Sequence, residues 1–218
     1  MRNYIKRFGM DITKESFRKN CLNKLRRSQQ FNKLYRDSLV NNQLKSVLKD
    51  AKGLNILFYW PLDLEVDIRK SLKTMRKKNN ILLPLMEEIS FKMVPYRLPL
   101  TRKKFNIYEA GNSFKNIRKI DVTIVPAVGV DIKSRRIGFG KGMYDRFFEK
   151  IKNDPYKIFI QSQICYVHKD ICDDHDVSCD MLITPRVRML HRRKFNANYR
   201  TDRGFVGHIE RGSRFFHF

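Results

Sequence analysis

The chain has 218 residues, enough for one domain with a substantial core and a terminal appendage. Its 46 Lys/Arg against 22 Asp/Glu give a formal charge of +24, a surplus that attracts polyanions of every kind, from nucleic acid to phosphorylated or polycarboxylate small molecules. No apolar run approaches the ~18 residues of a membrane helix, and no apolar stretch follows the basic start Met1–Arg7. A membrane protein and a secretory leader are therefore not expected, and the expected address is the cytoplasm.

Thr13, ahead of Lys14-Glu15-Ser16, reads as the N-cap of a helix running to about Ser28. A second helix is predicted over 32–50, with Leu34, Leu39, Val40, Leu44, Val47 and Leu48 as its apolar stripe, ended by Lys52-Gly53. Leu54 to Trp60 reads as a strand, and Asp63-Leu64-Glu65 opens a third helix reaching about Arg76. Ile81–Leu85 and Ile89–Val94 are strands, and 95–116 is loop-like, with Pro95, Pro99 and Gly111. A strand from Ile120 leads through a glycine-rich turn to a helix over about Gly142–Asn153, closed by Pro155. Ile158–Ile164 and Met181–Thr184 complete the strands. Strands alternating with helices predict an α/β domain with a mainly parallel sheet. Residues 1–12 read as an N-terminal arm, 13–186 as the domain, and 187–218 as a basic, mobile tail. From Arg186 onward nine Lys/Arg stand against two acids, and Arg192–Phe218 shows no apolar periodicity.

The most informative segment is Arg136-Ile137-Gly138-Phe139-Gly140-Lys141-Gly142-Met143-Tyr144-Asp145-Arg146-Phe147. It follows the apolar strand Ile120–Pro126 and opens an amphipathic helix. Glycines let the backbone approach a phosphate, and the first N–H groups of a helix point at it. The run is not a Walker A loop, since no Ser or Thr follows Lys141. Nor is it the dinucleotide fingerprint, since its third glycine comes too soon. Lys141, a mobile point charge, and Arg136, a fixed fork, are the best phosphate ligands and the expected catalytic residues. No Ser-His-Asp or Cys-His arrangement offers a nucleophile.

Cys21, Cys165, Cys172 and Cys179 read as reduced thiols. The last three are spaced by seven, with His168 and His175 between them, but lack the Cys-x2-4-Cys pairs of structural zinc sites.

The glycine run resembles the signature Arg-x-Gly-x-Gly-x-Gly-Tyr-Tyr-Asp-Arg of the 5-formyltetrahydrofolate cyclo-ligases, with Met143 in place of the first tyrosine. Other segments match in order over about residues 12–186, and the match implies a three-layer, Rossmann-like fold. Lys14 and Arg18 stand where the family has a Lys-x-x-x-Arg that contacts ATP phosphates. Trp60-Pro61-Leu62-Asp63-Leu64-Glu65-Val66-Asp67 resembles a strand-end segment whose glutamate, here Glu65, holds the pterin of a folate. A first-turn acid complementing a helix dipole is the structural alternative for Glu65. Trp60 could stack on a flat ring or belong to the core. The resemblance places Gly138, Phe139, Gly140, Lys141, Gly142, Met143 and Tyr144 around ATP, with Tyr144 also beside folate. Asp145, together with Asp180 in Asp176-Val177-Ser178-Cys179-Asp180, would hold Mg2+. Asp180 also reads simply as an acid at a strand start.

The resemblance implies an ATP-dependent enzyme converting 5-formyltetrahydrofolate, including polyglutamylated forms, to 5,10-methenyltetrahydrofolate through a phosphorylated formyl (imino-phosphate) intermediate, with release of ADP and phosphate. Met143, Pro185 after Thr184, and Ile107-Tyr108-Glu109-Ala110 depart from the pattern. Two alternatives stand beside it: an RNA-binding protein using the basic surface and tail, and a cyclo-ligase-like ATP-binding protein with a different substrate.

Overall fold

The structure, a computed structural model, describes residues 12–97 and 119–191, and the backbone of 101–102, 108–109 and 214–217. Helix α1 spans Lys14–Gln29 and begins at a reciprocal cap. Ser16 N donates to Thr13 Oγ1 at 3.2 Å, and Thr13 N donates to Ser16 Oγ at 3.1 Å. Helix α2 spans Lys33–Val47 and starts from Asn32, whose φ of 51° is the left-handed conformation asparagine tolerates.

Strand β1 (Asn55–Leu57), helix α3 (Arg69–Met75) and strand β2 (Asn80–Met86) form one parallel unit, and β3 (Phe91–Pro95) returns antiparallel beside β2. The expected long helix over 63–76 is thus only its second half. Two short strands, β4 (Thr101–Arg102) and β5 (Tyr108–Glu109), pair with each other; most of the loop-like stretch around them lies outside the described residues, as do 1–11 and 192–213.

Strand β6 (Val122–Pro126) leads into the hairpin β7 (Gly129–Val130) and β8 (Arg136–Ile137). Helix α4 (Met143–Lys150), β9 (Tyr156–Ile160) and β10 (Met181–Ile183) follow. Strands β2, β1, β6, β9 and β10 are mutually parallel neighbours, as the alternation predicted.

One boundary is corrected. Val187–Leu190 is strand β11, antiparallel to β10, and β12 (Arg214–His217) pairs with β11. The sheet therefore runs β12-β11-β10-β9-β6-β1-β2-β3. The domain continues past 186: Met189 and Leu190 pack against opposite faces of the sheet, an alternation too short to register as a pattern.

Ile56, Ile124 and Ile158 face α2 and α3, where Val40, Leu44, Ile68 and Leu72 are buried. Leu57 and Leu82 face Phe147 of α4, and Val125 and Phe159 face the partly buried Tyr144 and Phe148. This is the three-layer α/β arrangement. The unit β1-α3-β2 builds outward on one face and β6-α4-β9 outward on the other. The crevice between the carboxyl ends of β1 and β6 is thus a topological switch point, the usual ligand position in such sheets. Among the described residues no helix is long and apolar enough to cross a membrane. All four cysteines are buried and none is in a disulfide, Cys21 and Cys165 sharing one small cluster with Leu25 and Val128.

Candidate active site

Arg136 sits at the switch point. It lies on β8 and is 5% exposed, its Nε donating to the carbonyl of Pro126, the last residue of β6, at 2.9 Å. Its guanidinium carbon lies 4.8 Å from the Tyr144 ring centre, and Nη1 lies 3.9 Å from Asp145 Oδ2. Burial pulls its pKa down, while Asp145, Tyr144 and Glu65 push the other way. Among the described residues this buried cation has one loose ion pair, an under-compensation that favours an anionic ligand.

The glycine turn wraps this side chain. Gly138 presses on the guanidinium, and Gly140 (φ 98°) and Gly142 (φ 58°) adopt left-handed conformations that suit glycine. Arg18 of α1 reaches across, Nε donating to Gly138 O at 3.0 Å. Lys14, one helical turn earlier, donates to Asp173 Oδ2 at 2.9 Å and to Asp176. Its pKa is raised: burial pulls it down, but the two carboxylates outweigh this. Lys14, Arg18, Arg136, Gly138, Gly140, Gly142, Asp145 and Asp176 line one cleft of about 490 Å³. Phe139, Gly140 and Lys141 are exposed.

Met143 and Tyr144 open α4, half-buried. Met143 packs toward Phe91 and Phe147, and Tyr144 meets the Phe91 ring at 5.0 Å. Burial raises the Tyr144 pKa, with Glu65 adding to the effect. Glu65 itself is 8% exposed. Leu62 N donates to its Oε2 at 2.9 Å, yet burial pushes its pKa up to about 7, against the pull of that hydrogen bond, Arg136 and Lys33. It is not a first-turn helix acid, because α3 begins four residues later. Trp60 follows β1, half-buried against the core, 6.3 Å from the Tyr96 ring and with Arg69 5.8 Å from its own.

Asp180 is not among the described residues that line the cleft with Asp145. It is 1% exposed, and its Oδ2 accepts from the backbone N–H of Lys157 at 2.8 Å, at the amino end of β9. The segment 176–180 runs from the cleft down to that end. Val177 N lies 3.4 Å from Asp145 Oδ1, so the acid that meets the cleft is Asp176. Sequence reasoning passed over Asp176, though it opens the same segment. Its Oδ2 accepts from Lys14 and from Asp173 N at 2.8 Å. His175 and Asp173 lie beside it.

Residues 11–185 match the family model described as the 5-formyltetrahydrofolate cyclo-ligase family. The chain is 27% identical over 174 residues to a 5-formyltetrahydrofolate cyclo-ligase of Mycoplasma pneumoniae, covering 79% of this chain and 98% of that protein. It is 24% identical over 136 residues to one of Haemophilus influenzae, covering 58% and 71%. An NMR structure of the Aquifex aeolicus 5,10-methenyltetrahydrofolate synthetase superposes with a TM-score of 0.68 at 25% identity, covering 87% of this chain and 99% of that one. The synthetase structure from Mycoplasma pneumoniae gives 0.61 at 23%, covering 81% and 99%, a likeness of fold. With its glycine turn folded around a buried arginine at the switch point of a matching sheet, this chain belongs to the 5-formyltetrahydrofolate cyclo-ligase family.

Proposed function

We propose that this protein is an ATP-dependent ligase that closes 5-formyltetrahydrofolate, including polyglutamylated forms, to 5,10-methenyltetrahydrofolate. The observation that carries this reading is the pairing of Arg136, buried under the glycine turn in a basic cleft, with the buried carboxyl of Glu65 in its field. The first is a phosphate site and the second a site for the N–H donors of a flat heterocycle; Arg136 is anchored at the end of β6, and Glu65 lies in the segment that follows the neighbouring strand β1. The formyl oxygen attacks the γ-phosphorus of ATP and ADP departs. N10 then bonds to the activated carbon, the C–O bond breaks, and phosphate leaves as N10 gives up its proton. Arg136, Arg18 and Lys141 would balance charge on the phosphoryl group while the turn fixes it in line. Lys14 would exchange its carboxylate partners for a phosphate.

Asp145 and Asp176 bring two carboxylates to the phosphate end of the cleft, a donor set that fits Mg2+. The ion, when bound, would neutralise phosphate charge. A cytoplasmic address, where ATP and reduced folate meet, belongs to the same reading. The experiment is to follow absorbance of the methenyl product from 5-formyltetrahydrofolate with and without ATP. ATP-dependent product supports the reading. ATP binding without product points instead to a relative with a different substrate.

A further inference from the structure

The segment carrying Glu65 is irregular, yet it is held at three consecutive carbonyls. Lys33 Nζ donates to Glu65 O at 3.0 Å, Tyr59 Oη to Val66 O at 2.9 Å, and Asn41 Nδ2 to Asp67 O at 2.7 Å. Two of the three donors come from α2. Asn41 is itself fixed, since its Oδ1 accepts from Ser71 Oγ at 2.6 Å and Ser71 N at 3.0 Å. Lys33 is fixed by Asp37, Nζ to Oδ2 at 2.7 Å, and Asp37 is 5% exposed. Such clasps substitute for the missing helical hydrogen bonds of buried carbonyls.

Lys33 differs from the other two donors in carrying charge. Around the Glu65 carboxyl stand Arg136 from β8, Lys33 from α2, Tyr144 from α4 and Tyr59 after β1, while Asp37 and Asp67 act on the Tyr59 hydroxyl. Arg136 and Lys33 are the cations among them. Arg136 is shared with Asp145 and, on the proposed activity, would be claimed by phosphate when ATP binds. Lys33 stays on the Glu65 side, with its ammonium on the Glu65 backbone. No signal in the sequence singled it out, and it does not line the phosphate cleft.

Resting on the cyclo-ligase reading for its substrate, we propose that Lys33, held by Asp37, is a positioning residue for the folate site: it fixes the Glu65 segment and supplies the positive charge that favours the Glu65 carboxylate over the acid. The ionised form is the one that accepts two N–H donors from a pterin edge. Lys33 touches neither reacting atom, so its loss should weaken folate capture without slowing the phosphoryl step.

The test uses Lys33→Met, Lys33→Arg and the pair Lys33→Met/Asp37→Asn. The pair is included because the single change strands a buried carboxylate. The first readout is the Glu65 carboxyl titration in the full-length, ligand-free protein by 13C NMR, assigned with Glu65→Gln. The second is kcat and KM for 5-formyltetrahydrofolate from pH 6 to 9, with KM for ATP alongside. An upward move of half to one pKa unit in Glu65 corresponds to about a two- to fivefold loss of kcat/KM near pH 7, recovered by pH 9. That loss should fall on folate KM, with kcat and ATP KM close to wild type, and Lys33→Arg should restore the profile. A folded variant whose Glu65 titrates as in wild type, or whose loss is equal at every pH, overturns the proposal. If the wild-type protein makes no methenyl product, the activity reading falls separately, and the NMR titration alone decides whether Lys33 sets Glu65.

Discussion

A Cβ at position 138 would stand 2.4 Å from Arg136 Nη1, so the absence of a side chain at Gly138 is the space in which the guanidinium lies. The neighbouring glycines serve differently. At Gly140 the nearest atom to an added methyl would be Arg18 Nη1 at 3.9 Å, and the constraint is the φ of 98°. Gly138→Ala should therefore displace Arg136 and lower kcat/KM for ATP by about 10- to 100-fold, the scale of an ångström of misplacement. Gly140→Ala should instead cost about 1 kcal/mol or more of stability through backbone strain. Steady-state kinetics and denaturant unfolding on both variants separate the two. Equal effects on both axes would mean the turn acts as one unit.

Lys141 is exposed in the same turn. Lys141→Ala should lower kcat/KM by ~100-fold if its ammonium meets the transferring phosphoryl group, as loss of an electrostatic stabiliser commonly does. Unfolding should be nearly unchanged, because no burial is lost. Near wild-type turnover would take Lys141 out of the mechanism and leave Arg136 and Arg18 as the cations.

The two acids of the segment 176–180 should separate by kind of effect. Asp180→Ala removes the acceptor for a buried backbone N–H and should cost about 1–3 kcal/mol of stability. Asp145→Asn and Asp176→Asn should instead raise the Mg2+ concentration needed for half-maximal rate. Titrating Mg2+ against rate for the three variants is the check. A raised requirement in Asp180→Ala, with unfolding unchanged, would return Asp180 to the metal.

These differences mark what could be read from the chain. The parallel sheet, the Thr13 cap and the glycine turn are local in sequence: they rest on period, capping residues and φ, each visible within a dozen positions. The Glu65 segment looked helical because acids cluster over 63–67 ahead of an apolar stripe. Its carbonyls are claimed by Lys33, Asn41 and Tyr59, and only Tyr59 is close in sequence. Likewise, Asp176 and Asp180 are equivalent as letters. Which one meets the cleft depends on how 176–180 runs beside α4 and on a lysine 162 positions away, Lys14. Strand β11 escaped notice because four residues offer too little alternation to count.

Glu65 gives a pH prediction whose sign is opposite to that of a salt-bridged acid. Its pKa is raised from 4.5 to about 7, so between those values the folded protein binds more protons than the unfolded chain. Stability from this group is complete at low pH and is lost as pH rises through about 7, to the extent of about 3 kcal/mol. Glu65→Gln keeps an acceptor for Leu62 N without the charge. It should be more stable than wild type at pH 8, come within about 1 kcal/mol of it near pH 5, and bind folate poorly. Urea unfolding of both proteins across pH 5–8 measures the gap. A gap that does not change with pH would show that Glu65 titrates normally.

Truncation after His191 keeps β11, whose Met189 and Leu190 pack on the core, and removes β12 together with seven Lys/Arg side chains. The parallel strands and every described residue lining the cleft remain, so unfolding free energy and ATP affinity should stay near wild type. The uncovered edge of β11 should make the shortened protein more prone to self-association. If the basic tail holds RNA, truncation should weaken binding to a generic single strand and flatten its dependence on salt, since fewer counterions are released. Paired titrations of full-length and truncated protein, with ATP and with RNA at two salt concentrations, check both expectations. Loss of ATP binding on truncation would make residues beyond 191 part of the active domain. Absence of RNA binding in both forms would remove the nucleic-acid alternative and leave anionic substrates as the partners of the +24 charge.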